Sequence, residues 1–187
     1  MALRTGQHRR WTTCLVIVVG ATAGCGGAPD TVGPAVGRAD ATPTTPSAAE
    51  RAAEQAALAA YAGYLDASRE ANRTSDPRHP ALTRYLADPL LTRVRVAIGD
   101  ARRHGAVRTG TLRSAPTVTA VSLDANPQTV EIQDCLDATG YRLVYARDKR
   151  VVPGSTGRRY LATATATRYP DGRWLINTGA AHQDQPC

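Results

Sequence analysis

Phenylalanine is absent from this 187-residue chain, and lysine occurs once, as Lys149, against twenty-two arginines. Without Phe, the large core side chains must come from Tyr, Trp174, Leu and Val. An arginine excess this lopsided, beside so much Ala and Gly, reads first as GC-rich coding bias. Clustering would change that reading, because planar guanidinium groups suit phosphates. The arginines are instead scattered singly or in pairs, with no basic run interleaved with aromatics, so no nucleic-acid partner is expected. Arg4, Arg9 and Arg10, which carry part of the net charge of +7, lie in an N-terminal leader. Long apolar runs are missing too. The best stretch, Trp11–Ala21, spans only ~16 Å as a helix, against ~30 Å for a bilayer core. His79, His104 and His182 show no metal-ligand spacing with any cysteine. Pro153–Gly157 lacks the Lys of a phosphate loop, and Ser155 stands in no Gly-x-Ser-x-Gly elbow. No metal or cofactor is expected.

A positive Met1–Arg10 followed by a short apolar stretch and then Thr22-Ala23-Gly24 is the grammar of an export signal. The small residues before Cys25 resemble a bacterial lipobox, with Thr22 where the strongest examples have Leu. The resemblance implies diacylglycerol on Cys25 and a mature chain anchored on the outer face of the cell membrane. Residues 25–46 are Gly, Pro, Ala, Thr and Asp with almost no large apolar side chain. Such a segment cannot offset its ordering entropy and reads as a tether. The expected organisation is therefore a signal peptide at 1–24, a tether at 25–46 and one folded domain at 47–187.

With Cys14 in the leader and Cys25 assigned to lipid, Cys135 and Cys187 remain. In an exported domain two such cysteines are expected to pair. Ser47-Ala48-Ala49-Glu50 has the capping-box pattern and opens a long helix with Leu58, Tyr61 and Leu65 on one face. That helix should stop before Asp76-Pro77. A short piece at Ala81–Ala87 follows, then Asp88 as N-cap with Pro89 at the first helical position. Leu90, Val94, Ala97, Ile98 and Ala101 repeat at helical spacing until Gly105. Beyond it the period changes to two. Strands are expected at Ala106–Leu112, Thr117–Leu123, Val130–Leu136, Tyr141–Ala146, Tyr160–Arg168 and Arg173–Thr178. Asp137–Gly140 and Pro170–Gly172 are expected to turn adjacent pairs. Helices first and an antiparallel meander afterwards make an α+β domain, a curved sheet with helices over one face.

Val130–Asp137, the Thr/Ala run Ala162–Thr167, Asp171-Gly172-Arg173-Trp174 and the terminal Cys187 carry a further likeness. From about Ser47 onward the chain resembles the nuclear-transport-factor-2-like cone fold, also described as ketosteroid-isomerase-like or SnoaL-like. Within that fold it resembles exported lipoproteins of GC-rich Gram-positive bacteria. The resemblance implies a concave interior but no particular activity, since the fold hosts isomerases, dehydratases and non-enzymatic partners alike.

Asp134 is the weak catalytic candidate. It shares strand parity with Val130, Ile132 and Leu136, which would set a carboxylate among apolar side chains, where desolvation suits it to acid–base work. The bland reading makes it a strand-end partner of an arginine or a turn cap. Tyr61, Tyr64, Tyr85, Tyr160 and Trp174, with Tyr141 and Tyr145, are candidates to line a pocket or simply to pack. The leading expectation is a non-catalytic, membrane-anchored domain that binds an envelope protein or a small apolar ligand. The rivals are an isomerase- or dehydratase-type enzyme using Asp134, and a structural subunit of an envelope assembly, with a second copy docking on the outer sheet face as a homodimer.

Overall fold

A computed structural model describes residues 45–187. The expected signal peptide, the lipid site at Cys25 and nearly all of the tether lie outside the described residues. Helix α1 runs Ala48–Thr74. The capping box forms as the pattern predicts: the Glu50 amide donates to Ser47 Oγ at 3.1 Å, and the Ser47 amide donates to the Glu50 carboxylate at 2.6 Å. One stripe of α1, Ala53, Ala57, Ala60, Ala67 and Ala71, is buried, with Tyr61 the large side chain among them. Alanine there lets the helix axis approach the sheet closely; Leu58 and Leu65 are only half-buried. Helix α2 is Leu82–Tyr85, and α3 is Leu90–Arg103. Helix α3 starts one residue later than expected: Pro89 stands at the cap, and Asp88 accepts from the Thr92 amide and hydroxyl.

All six strands form: β1 Ala106–Gly110, β2 Pro116–Ser122, β3 Thr129–Asp137, β4 Tyr141–Tyr145, β5 Arg159–Arg168 and β6 Trp174–His182. The fold is α+β, with the helices packed on an antiparallel sheet. The expected meander needs correcting. β2, β3, β5 and β6 pair in that order, while β4 pairs with β1 in a separate two-stranded ribbon. Asp137–Gly140 closes no hairpin, because β3 already has β2 on one side and β5 on the other. The segment is a corner. The ladder Pro116↔Asp134 continues through Arg113↔Asp137 to Gly110↔Tyr141, so the ribbon is the β2–β3 pair carried round a bend at residues 111–115 and 138–140. Gly110, at φ +102°, sits so close to the Gly140 carbonyl that any Cβ would overlap it. Pro170–Gly172 does turn β5 into β6.

The core lies between α1–α3 and the inner sheet face, where Val130, Ile132 and Leu136 of β3 meet Ala164 and Ala166 of β5 and Ile176 of β6. Threonines and charged or amide groups fill the opposite face, including Thr117, Thr119, Glu131, Gln133 and Thr178. A disulfide joins Cys135 to Cys187, with Cα atoms 5.7 Å apart.

Candidate functional site

Asp134 is fully buried, at 1% exposure, and faces inward with Val130, Ile132 and Leu136. Three donors surround its carboxylate. The Tyr61 hydroxyl (3.0 Å) and the Ser114 hydroxyl (2.7 Å) donate to Oδ2, and the Ala115 amide (2.7 Å) donates to Oδ1. The bend accounts for this. Where the strand turns the corner at 111–115, the Ala115 amide has no ladder partner and takes a side-chain acceptor instead. Asp134 supplies one and fastens the corner to α1 through Tyr61. Burial, and after it the neighbouring Asp134 carboxylate, push the Tyr61 phenol far above its ordinary value. Neither Asp134 nor Tyr61 lines the cavity on the concave side of the bend; the carboxylate weighed from the sequence as an acid–base group is here the acceptor that fastens the corner.

The open space lies on the concave side of the bend. An open cavity of about 880 Å³ is bounded by α1, α3, the β1–β4 ribbon and the loop 152–158. Strand alternation places Ala106 and Arg108 of β1, and Tyr141, Leu143 and Tyr145 of β4, on the ribbon face that lines it. Helix α3 contributes Val94, Ala97, Ile98 and Ala101, the apolar repeat legible in the sequence. Much of that stripe faces a hollow rather than packed core: Ala97 is exposed, and Val94 and Ala101 are half-buried. The loop 152–158 folds back along β4. The Ser155 hydroxyl donates to the Leu143 carbonyl at 3.1 Å, and the Gly157 amide donates to the Tyr141 carbonyl at 3.2 Å.

Of the six residues singled out as pocket candidates, Tyr64 and Tyr160 line this cavity. Tyr61 and Asp134 lie in the buried clamp just described. Tyr85 lies flat against α1, its ring filling the place that a Cβ on Gly63 would take, and Trp174 packs on the core. Tyr64 meets Tyr61 edge to face, with ring centroids 5.8 Å apart. His182 contacts Thr163 Oγ1 through Nε2 at 3.1 Å and does not line the cavity.

Arg108 was not singled out from the sequence. Its guanidinium lies over the Tyr141 ring, 5.3 Å from the centroid. Burial pushes the phenols of Tyr64, Tyr141 and Tyr160 up, while the charge of Arg108 pulls Tyr141 and Tyr160 part of the way back. At neutral pH these phenols are proton donors. Among the described residues none of the three hydroxyls has a hydrogen-bond partner, whereas Tyr61 has Asp134. The signal available in the sequence was parity alone, Ala106 and Arg108 alternating on one face of a strand. Among the described residues no cluster of His, Cys, Asp or Glu has the arrangement of a metal site, and no helix is long and apolar enough to cross a membrane.

No family model and no curated protein matches this chain. Among solved structures it is similar to the intermembrane space region of the chloroplast protein ARC6. The TM-score is 0.45 at 20% identity, covering 73% of this chain and 98% of that one.

Proposed function

We propose that this chain is an exported, lipid-anchored binding domain that holds a small, largely apolar ligand in the cavity between α1, α3 and the β1–β4 ribbon. The observation that carries the reading is the cavity itself, about 880 Å³, walled by an apolar helix stripe and tyrosine rings. That volume falls within the range of small-molecule sites, which combine mostly apolar walls with a few placed polar groups. Ala97 and its neighbours on α3 present apolar surface there, and a ligand that covers it removes that surface from water. The leader, Cys25 and the tether support an anchored location, and the Cys135–Cys187 disulfide suits an oxidising compartment. In this reading the domain is a binder rather than a catalyst, and its sequence likeness to the cone fold concerns shape alone.

The test is native mass spectrometry of the full chain purified from a bacterial host. The wild type should carry an added mass lost under denaturing spray, and Ala97→Trp, which fills the hollow from α3, should carry none while keeping the far-ultraviolet circular dichroism. Identical spectra with no added mass, together with no thermal shift on adding an apolar dye, would remove the proposal.

A further inference from the structure

The cavity wall carries a charge that no ion pair among the described residues neutralises. Asp100 is the one carboxylate among the lining residues, and it is ion-paired to Arg103. Of the lining arginines, Arg69 is paired to Asp66 at 2.8 Å. Arg108 and Arg158 take part in none of the ion pairs among the described residues. Arg108 is also half-buried, held against the Tyr141 ring on the cavity face of the ribbon. A guanidinium withdrawn from water without a carboxylate loses hydration that an anion can replace. Tyr141 lies directly beneath it, and Tyr64 and Tyr160 line the same cavity, their hydroxyls also free of hydrogen-bond partners among the described residues. Opposite lies the uncharged stripe Val94, Ala97, Ile98 and Ala101 of α3. The cavity thus sets the unpaired Arg108 and the tyrosine hydroxyls on its ribbon side and the apolar α3 stripe on its helix side, where Arg69 and Asp100 are already ion-paired.

Resting on the binding function proposed above, we infer that the ligand is an amphipathic oxyanion. Its carboxylate or phosphate-monoester head is held by the Arg108 guanidinium and the Tyr141 and Tyr160 hydroxyls, and its hydrocarbon body lies along α3. Guanidinium geometry matches a two-oxygen head with paired N–H donors, and phenols add donors without adding charge. A neutral ligand of the same body would leave the arginine uncompensated, and a cation would be repelled.

Fluorescence titration of the full chain with 11-(dansylamino)undecanoic acid and with its methyl ester tests this, with dodecyl phosphate as competitor. Hydrogen bonds to charged groups imply a preference for the acid of about tenfold or more. Arg108→Gln should abolish the preference while ester binding stays within about twofold. Arg142→Gln, on the outward side of the same ribbon, should change neither. Tyr141→Phe, which removes only a hydroxyl, should weaken the acid by about threefold and leave the ester alone. Dodecyl phosphate displacing the acid would establish that either head is accepted, and failure to displace it would assign the site to carboxylates. If acid and ester bind equally, or the preference survives Arg108→Gln, the anionic class is wrong and the binding function stands. If neither probe binds and the purified chain carries no ligand, both fall.

Discussion

At neutral pH the Tyr61 phenol gives its hydrogen bond to a carboxylate that water does not reach. The sign of its linkage to stability follows. Its value in the folded chain is raised above the ordinary 10.0, so the unfolded chain loses this proton first. The contribution is complete below about pH 10 and disappears as the pH rises above it. Tyr64, Tyr141 and Tyr160 are raised as well and act in the same direction. Urea midpoints should therefore be level from pH 7 to 9 and fall above 10. Tyr61→Phe should cost about 1.5 kcal/mol at pH 7, the worth of a bond to a charged acceptor, and its alkaline fall should be shallower. Parallel curves for the two proteins would show that the Tyr61–Asp134 bond does not set this slope. The inward direction of Asp134 was readable from alternation. Its partners were not, because Ser114 and Ala115 reach it only once the strand has bent.

Local pattern located every helix and strand, since caps, periods and turn residues act over a few positions. The capping box at Ser47 is the clearest case, and Ser47→Ala should lower stability by about 1 kcal/mol in denaturant titration. No change would mean that α1 draws its start from packing alone. Pairing was another matter. Asp137-Ala138-Thr139-Gly140 has the composition of a hairpin turn, yet whether it reverses the chain depends on which edges of β3 are already occupied. That choice is made by residues far away in sequence, Thr163 and Thr165 of β5 among them. The α3 stripe was read correctly as apolar, but period alone does not distinguish a face that meets core from one that meets a hollow.

For the whole molecule, the disulfide is the covalent constraint. It closes a separation of 52 residues, tying β3 to the end of the chain, for which the chain-entropy account gives about 4 kcal/mol. Cys187→Ser should lower the unfolding free energy by up to that amount, and non-reducing peptide maps should recover the Cys135 and Cys187 peptides joined. Free thiols at both positions would remove the bond and with it the argument for an oxidising surrounding. Counting cysteines found this pair because assigning Cys14 to a leader and Cys25 to lipid leaves only two. The cavity was less visible: it arises from the bend, from alanines that draw α1 inward, and from an arginine indistinguishable by composition from twenty-one others.

The bend also divides the molecule mechanically. β3 and β5 are each gripped along both edges by strands, whereas β1 and β4 pair as strands only with one another and take their further support from α1, α3 and the loop 152–158. The wall bearing Arg108 is therefore braced by helices and a loop rather than by further strands. A guest lying between α3 and the ribbon would touch the same elements that support that wall, so occupancy of the cavity and integrity of the ribbon are coupled.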